Sequence, residues 1–572
     1  MADIARWGDL GIRAVARLAG AAFVVAVLGA GSAAPAAGQE HTRADTLRGS
    51  IGPERAWWDV TFYDLRVRVM PVDSSIRGRV GIVYRVTEPS AAARPGAGSG
   101  DTGARTMQID LQQPLVVDSV VWRTRVLVHE REGDVVWVDV PDASPVGETD
   151  TVVVYYGGHP RVAANPPWDG GFIWARDDRG RPFVATANQG LGASVWWPTK
   201  DTQADEPDSQ RIAITVPEPL VNVSNGRLRQ VVPNGDGTTT FEWFVRNPIN
   251  NYNVAVNAGH YARFGDVLEG EDGVLTLDYW PLEQNLERAR EQFAQTPSVV
   301  RCFEHWFGPY PFYEDGLKLV ETPHLGMEHQ SATAYGNRYR NGYLGRDPSG
   351  TGLGLEWDFI IVHELAHEWW GNSLTTADLA DMWVHESFGN YAESLYVECL
   401  HDPAAGAAYV RGTRPGIRND RPIIPAYGVN AQGSGDMYSK GGNLLHTIRQ
   451  VIDDDDRWRA ILRGLQSDLR HSIVTGDQVR SYISEHAGID LDPVFRQYLT
   501  TTTIPVLEVR LQSDRLAYRW AEAVDGFDMP VDARLGPDAC TRLYPTTAWQ
   551  TVAHSLPDPA GFDVDQDFYV RV

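Results

Sequence analysis

The sequence has little cysteine, and its apolar residues form only one long uninterrupted run. Its three cysteines, Cys302, Cys399 and Cys540, lie far apart without any CxxC pair, which excludes a cysteine-rich metal cluster. They allow one disulfide with one free thiol in an oxidising compartment, or three separate thiols. After Gly31 no apolar run is long enough to span a bilayer, so a membrane-embedded helical bundle is excluded.

The sequence also has few basic residues relative to acidic ones. The 572 residues include 51 Lys and Arg against 75 Asp and Glu, for a formal net charge of -24. Such a surface repels nucleic acid and anionic membrane, so we expect neither as a partner. It favours solubility and leaves a mild attraction for cationic substrates. Hydrophobic residues make up 43%, as in ordinary globular proteins, and the length predicts two to four domains.

The N-terminus has the three-part layout of a secretory signal peptide. Basic residues up to Arg17 precede an apolar core over residues 18–31, and small residues follow it. We predict a signal peptide over residues 1–38, cleaved between Ala34 and Gly38. The alternative is an uncleaved membrane anchor, because the charge-free stretch continues past the apolar core. We therefore expect an exported protein, periplasmic or extracellular, without stable membrane insertion after signal removal; the sequence does not predict the oligomeric state.

The sequence pattern changes twice along the chain, from strand-like to helical and back to strand-like. Residues 50–265 contain short alternating runs such as "VTFYDLRVRVMPV" and "TVVVYYGG", broken by a Pro/Gly-rich loop over residues 89–104. Residues 266–502 carry helical runs, including "LEWDFIIVHELAHEWWGN" and "SKGGNLLHTIRQVID". Residues 503–572 return to short strands. The fold class that we predict is multidomain α+β, with an N-terminal antiparallel β domain, a mainly helical domain and a short C-terminal β-sandwich.

The segment "HELAHEWWGN" has the spacing of a zinc site. His363 and His367 are four residues apart, so on a helix both imidazoles lie on one face and can bind one ion. Glu364 is offset from that face, near the metal without having to bind it. This position suits a general base that acts on metal-bound water.

A catalytic zinc usually takes a third protein ligand and keeps one position open. Glu386 follows His367 after 18 residues, which allows the zinc helix, a turn and a second helix that packs beside it. We therefore predict a His2Glu ligand set completed by Glu386. Glu393 lies two turns further along the second helix, where its carboxylate can accept the free ring N–H of a ligand histidine.

With these residues in place, the sequence resembles the gluzincin zinc aminopeptidases of the aminopeptidase N and leukotriene A-4 hydrolase family. The resemblance covers roughly residues 57–500 and implies a saddle-like β domain followed by a thermolysin-like catalytic domain. "DMYSKGGNLLH" resembles the family segment with the catalytic tyrosine, here Tyr438. "LGMEH" resembles the segment that binds the substrate N-terminus, here Gly326, Met327 and Glu328, and "NQGLG" places Gln189 at the amine-contacting glutamine.

The resemblance implies a zinc-dependent aminopeptidase with one Zn2+ per chain. Its substrates would be peptides with a free N-terminus, cleaved by attack of a zinc-bound water with Glu364 as general base. Tyr438 would stabilise the oxyanion, while Glu328 and Gln189 would hold the α-ammonium group. The alternatives are a zinc endopeptidase or an epoxide hydrolase on the same site, or an inactive scaffold that only binds partners.

Three residues depart from the family pattern. Leu325 replaces a glycine and His329 an asparagine in the segment around Glu328, which changes the lining beside the substrate. His385 precedes Glu386 in place of an asparagine. His385 is either a group that supports a metal ligand or a packed side chain.

Overall fold

The computed structural model describes residues 41–89, 104–142, 144–536, 540–556 and 561–572. The predicted signal peptide and nearly all of the predicted loop over residues 89–104 lie outside these ranges. In the part of the chain that is described, no helix combines the length and the apolar character needed to cross a bilayer.

The first half of the described chain is almost entirely β-structure. Its strands alternate buried and partly exposed side chains, and the strand Thr238–Val245 follows the pattern without a break. Two short helices, α1 (Arg43–Gly49) and α2 (Pro53–Ala56), precede the strands β1 (Trp58–Met70), β2 (Ser75–Val86), β3 (Ala104–Asp110), β4 (Val116–Trp122), β5 (Arg125–Leu127), β6 (His129–Glu132), β7 (Val135–Pro141), β8 (Thr149–Gly158), β9 (Gly171–Arg176), β10 (Pro182–Ala187), β11 (Ser209–Pro217), β12 (Val221–Val223), β13 (Arg227–Pro233), β14 (Thr238–Val245) and β15 (Asn257–Gly259).

The largest sheet has the strand order β13-β14-β11-β1-β2-β8-β4-β5. The expectation of a purely antiparallel sheet is wrong at one place, because β1 and β11 pair in parallel, with Phe62 opposite Ser209. Both β1 and β11 largely alternate buried and partly exposed side chains, as antiparallel strands do, so the sequence pattern does not reveal the parallel pairing. A four-stranded sheet, β12-β15-β10-β9, and a three-stranded sheet, β3-β7-β6, complete this region. Strand β10 ends at Ala187, two residues before Gln189.

The second region combines helices with a five-stranded sheet of order β16-β17-β18-β20-β19. Two further strands, β21 and β22, pair in parallel. The elements are β16 (Phe264–Gly270), β17 (Gly273–Trp280), α3 (Leu286–Gln292), α4 (Thr296–Phe307), β18 (Leu317–Glu321), β19 (Gly326–Met327), β20 (Thr333–Tyr335), α5 (Phe359–Ala366), β21 (Leu374–Thr376), α6 (Trp383–Leu400), α7 (Pro403–Gly412), α8 (Ser439–Ile452), α9 (Asp455–Asp468), β22 (Ser472–Val474), α10 (Gly476–Ala487) and α11 (Asp492–Thr500).

Helix α5 is shorter than the run that predicted it. It ends at Ala366 with His367 as its C-cap, and the chain then turns, with Asn372 N–H donating to the His367 carbonyl over 3.0 Å. Gly371 has φ +122°, a conformation that favours glycine, so the aromatic residues before it leave the helix.

The C-terminal region consists of two three-stranded sheets, β23-β24-β27 and β26-β25-β28. Its strands are β23 (Val506–Leu511), β24 (Arg515–Ala521), β25 (Val531–Arg534), β26 (Cys540–Leu543), β27 (Gln550–Ala553) and β28 (Asp563–Val564). Leu507 and Trp520 belong to the same buried apolar cluster as the helices of the second region. A second cluster fills the N-terminal sheets, so the described chain has two main hydrophobic cores.

Candidate metal centre

Helix α5 begins at a defined residue that sets the position of both predicted histidine ligands. The Asp358 side chain caps the helix by accepting from the backbone N–H groups of Ile360 and Ile361. His363 and His367 then lie one turn apart and are both buried. Their Nε2 atoms are 3.4 Å apart.

Glu386 on α6 completes the set. Its Oε2 lies 3.6 Å from Nε2 of His363 and 3.5 Å from Nε2 of His367. Tetrahedral ligands at about 2.0–2.1 Å from zinc lie about 3.3 Å from one another, so the three donor atoms fit the group. Among the described residues Oε2 is buried without a hydrogen-bond partner, as expected for an atom that binds a metal. Within the described residues, this is the one set of three or more such side chains with metal-binding proximity.

The outer ring nitrogens of both histidines are held by neighbours. Nδ1 of His363 lies 2.9 Å from Oε1 of Glu393, and Nδ1 of His367 lies 2.9 Å from the Trp370 carbonyl. Tyr409 donates its hydroxyl to Glu393 over 3.1 Å. Because each Nδ1–H donates to its acceptor and the proton stays on Nδ1, both Nε2 atoms are left with a lone pair on the side of Glu386.

The electrostatics of the three side chains favour opposite charges at close range. Burial raises the pKa of the Glu386 carboxyl, but the two histidines outweigh it and depress that pKa far below its usual value. Burial likewise opposes a charged His367, yet Glu386 raises its pKa to about 9. The carboxylates around the two histidines therefore favour positive charge at this point, which is the electrostatic environment that a bound cation requires.

Glu364 follows His363 on α5 and is also buried. Burial and the neighbouring Glu328 raise the pKa of its carboxyl to about 7, although the two histidines lower it. A Cβ atom at Gly326 would lie 2.6 Å from Oε1 of Glu364. Glycine at position 326 thus leaves the space that the Glu364 carboxylate occupies.

The residues predicted to bind an α-ammonium group meet in one network. Gln189 donates from Nε2 to Glu328 Oε1 over 2.5 Å and to Glu386 Oε1 over 3.1 Å. Tyr252 donates its hydroxyl to the same Glu328 oxygen over 3.3 Å, and Asn372 donates to the Glu328 carbonyl over 2.9 Å. Burial raises the pKa of the Glu328 carboxyl above its usual value. Met327, beside it on β19, is buried.

Tyr438 lies at the N-cap of α8 and faces the same space. Its ring centroid is 6.0 Å from that of His363. Burial, followed by the carboxylates of Glu386 and Glu328, raises the pKa of the Tyr438 hydroxyl well above its usual value. The hydroxyl therefore keeps its proton and can donate a hydrogen bond.

The structure adds two residues that the sequence did not predict. Tyr252 comes from a 3-10 turn of the N-terminal region and has no motif of its own. The second residue is Gly389 on α6, whose one sequence signal is that it is a glycine inside a predicted helix. A Cβ atom there would lie 3.1 Å from Cε1 of His367, so this glycine lets α6 approach the histidines.

The three departures from the family pattern have separate surroundings. Nε2 of His385 lies 3.2 Å from the Thr376 backbone nitrogen and 3.1 Å from its hydroxyl oxygen, so its side chain is packed against β21. His329 is fully buried, and neither of its ring nitrogens has a hydrogen-bond partner among the described residues. Leu325 packs at the edge of the larger apolar cluster.

Residues 295–498, which contain all three metal-site side chains, match the model of the Peptidase family M1 domain. The chain carries a peptidase M1 domain. Aminopeptidase N of Lactobacillus helveticus is 26% identical over 334 residues, which is 54% of this chain and 38% of that protein. Aminopeptidase B of Mus musculus is 23% identical, over 55% of this chain and 48% of the mouse protein. The chain thus spans less than half the length of these relatives.

Solved structures share the fold around the M1 domain. The M1 zinc metallopeptidase of Deinococcus radiodurans has a TM-score of 0.65 at 20% identity, covering 79% of this chain and 95% of that one. A mutant of that enzyme, solved with a Tyr-Ser-Ala substrate, covers 80% of this chain and 98% of its own, again with a TM-score of 0.65 and 20% identity. The described chain is therefore a multidomain protein of mixed sheets and helices whose fold is similar to that of those M1 peptidases.

Proposed function

We propose that this protein is a zinc aminopeptidase that removes N-terminal residues from peptides with a free N-terminus. The observation that carries the proposal is the position of Gln189. One amide group contacts both Glu328, the proposed amine anchor, and Glu386, a predicted metal ligand. An α-ammonium group held by Glu328 would therefore lie beside the metal site.

His363, His367 and Glu386 would hold the zinc ion, one per chain. Bound zinc would act as a Lewis acid that makes a water acidic near neutral pH and polarises the scissile carbonyl. Glu364 accepts the proton of the attacking water and delivers it to the leaving amine. Its raised pKa of about 7 suits both halves of that transfer.

Tyr438 supplies a hydrogen-bond donor for the scissile carbonyl. Its proton is retained because the raised pKa keeps the hydroxyl neutral at the pH of catalysis. A neutral donor in a water-poor site stabilises the oxyanion that develops in the transition state, and removal of one such donor typically costs about 100-fold or more in kcat.

Glu328 selects the free N-terminus. Its carboxylate is buried and contacts Gln189 and Tyr252, but it has no cationic partner among the described residues. The substrate ammonium supplies that partner through a charge-assisted hydrogen bond. An acetylated N-terminus would instead bring a neutral group to a buried carboxylate, which is unfavourable.

A disulfide provides evidence on the cellular compartment in which the protein acts. Cys302 and Cys399 form a disulfide, and Cys540 is free and exposed. Disulfides persist mainly in oxidising compartments, which supports the proposal that the protein acts after export, in the periplasm or outside the cell.

The test compares free and N-acetylated aminoacyl-aminocoumarin substrates, with and without a zinc chelator. We expect the free substrate to be cleaved at least about 100-fold faster, because the acetylated one leaves a buried charge unpaired. Chelation should abolish cleavage and added zinc should restore it.

A Glu328→Gln variant provides the matched comparison. The substitution keeps the shape of the side chain but removes its charge. We therefore expect slower cleavage of the free substrate and a smaller difference between the cleavage rates of the free and the acetylated substrates. Equal wild-type rates on both substrates would point to an endopeptidase, and absence of chelator-sensitive hydrolysis would favour a binding scaffold.

A further inference from the structure

Helix α1, which precedes the β region, lies against two loops of the candidate active site. Arg48 in its last turn donates from Nη2 to Oδ2 of Asp201 over 3.0 Å and from Nη1 to the Ser194 hydroxyl over 3.4 Å. None of the residues of α1 is fully buried, so the helix adds no side chain to either hydrophobic core. Its contacts therefore serve something other than core packing.

The first loop is the one that carries Gln189. Asp201 accepts both from Arg48 and from the Ser194 N–H group, over 3.1 Å, and thereby joins two points of this loop. Gly192 lies directly under the arginine, because a Cβ atom there would overlap the Arg48 guanidinium. Gly190 and Gly192 have φ +77° and +83°, so the turn after Gln189 is built from flexible residues that need external support.

The second loop leads to Tyr438. The last residue of α1, Gly49, is packed so tightly on Val429 and Asn430 that a Cβ atom would overlap their backbone nitrogens. Asn430 in turn donates from Nδ2 to the Gly190 carbonyl over 3.4 Å. The end of α1 is thus a junction between the Gln189 loop and the loop that precedes the catalytic tyrosine.

The ion pair at this junction is well shielded. The side chains of Arg48 and Asp201 are 20% and 7% exposed, so their interaction is screened less than a surface pair. The other cation of the helix, Arg43, pairs with Glu132 at the exposed opposite end, where the two side chains are 61% and 38% exposed.

We propose that α1 is a strap that positions the Gln189 loop against Glu328, with Arg48 as the positioning residue. The strap acts through Gln189 and does not touch substrate. This role rests on the proposed aminopeptidase function, because it sets the geometry of the amine anchor. The N-terminal segment of the chain would then tune affinity for the substrate N-terminus.

The test uses Arg48→Ala, Gly49→Ala and Arg48→Lys in the full chain. Gln189 would bind the ammonium equally in the ground state and the transition state, so its displacement should raise KM on the order of tenfold and leave kcat nearly unchanged. Gly49→Ala should have the same effect without loss of charge, because it pushes α1 off the second loop. Arg48→Lys should recover part of the affinity, and Arg43→Ala is the matched control with unchanged KM.

Hydrogen exchange of the same variants tests the strap independently of catalysis. Amides of residues 190–195 and 429–434 should exchange faster in Arg48→Ala and Gly49→Ala than in the wild type and in Arg43→Ala. An unchanged KM together with unchanged exchange would overturn the proposal. If faster exchange occurs but no variant or wild type cleaves free N-termini, the strap stands and the aminopeptidase proposal fails.

Discussion

Two glycines shape the centre of the site. Gly389 lets α6 reach the histidines, and Gly326 leaves space for the Glu364 carboxylate. Gly326 was predicted from the family resemblance as a substrate-binding residue. Its closest side-chain neighbour is the proposed general base, so its lack of a side chain bears on catalysis as well as on binding.

A methyl group at position 326 should therefore impair turnover without loss of metal. In Gly326→Ala the new Cβ would lie 2.6 Å from Glu364 Oε1, which forces the carboxylate to move. We expect kcat to fall on the order of 10–100-fold with full zinc occupancy, since misplacement of a general base loses part of its contribution. Steady-state kinetics together with metal analysis of the purified protein measure both quantities.

Two further variants serve as references for the turnover of Gly326→Ala. Glu364→Gln removes the base and should lose about 100-fold or more in kcat while it keeps zinc. Gly52→Ala is the neutral control, because its Cβ would meet only the Glu54 carboxylate at 3.4 Å. Wild-type turnover in Gly326→Ala would show that Glu364 either tolerates displacement or is not the base.

The sequence could predict the local part of the site and not the distant part. His363, Glu364 and His367 follow from helix spacing, because all three lie within about one helical turn. Gln189 donates to Glu328 across 139 residues, and no local pattern encodes that contact; it was expected only from the family resemblance. Tyr252, which reaches the same carboxylate across 76 residues, was not predicted at all.

Helix α6 contributes to the metal site, to a disulfide and to the packing of α8. It carries Glu386 and Glu393, and its C-terminal turn is joined to α4 by the disulfide between Cys302 and Cys399. Helix α8 packs on it through Gly441, where a Cβ atom would overlap the Ser387 hydroxyl. The glycine after Lys440 therefore allows the close packing that brings Tyr438 to the site.

Removal of the disulfide should destabilise the protein. The bond closes a span of 97 residues, and loss of a native disulfide typically costs about 2–5 kcal/mol. We expect Cys302→Ser/Cys399→Ser to lower the free energy of unfolding by an amount of that order, measured by urea denaturation of the zinc-loaded protein. Cys540→Ser is the control, because Cys540 is free and exposed. Equal stability of the double variant and the wild type would contradict this role for the bond.

Element prediction succeeded where a helix is periodic throughout and failed where tertiary contacts end it. The predicted runs around Glu386 and after Tyr438 are helices over Trp383–Leu400 and Ser439–Ile452. Helix α5 is only eight residues long, because the chain must turn at Gly371 to place Asn372 beside Glu328. The three cysteines allowed two interpretations, and the structure has the disulfide with one free thiol.

At the scale of the whole molecule, a polar boundary joins the two hydrophobic cores. Asn225 from the β region donates to the Gln330 carbonyl over 2.7 Å, and Asp315 accepts from the backbone of Arg246 and Asn247. Glu206 lies at the same boundary, beside the polar side chains of Asn250 and Thr375. Its Oε1 is buried without a partner among the described residues.

This carboxyl should make stability depend on pH. Burial raises the pKa of Glu206 to about 8, and the neighbouring polar side chains of Asn250 and Thr375 offset only part of that rise. A folded-state pKa above the unfolded value, about 4.3, means that the contribution to stability is fully present below about pH 4. It is lost as pH rises toward 8, because the unfolded chain releases the proton while the folded chain must hold it.

Replacement of Glu206 by an uncharged isostere should remove that dependence. In Glu206→Gln the side chain stays neutral at every pH. The free energy of unfolding of this variant should therefore increase relative to that of the wild type as pH rises from 5.5 to 8. Urea denaturation at several pH values with zinc in excess measures the difference. Glu130→Gln, at an exposed position of β6, is the control and should follow the wild type across the range. Parallel curves for Glu206→Gln and the wild type would mean that Glu206 is ionised in the folded protein throughout, and that its neighbours at the boundary between the two cores compensate a buried charge.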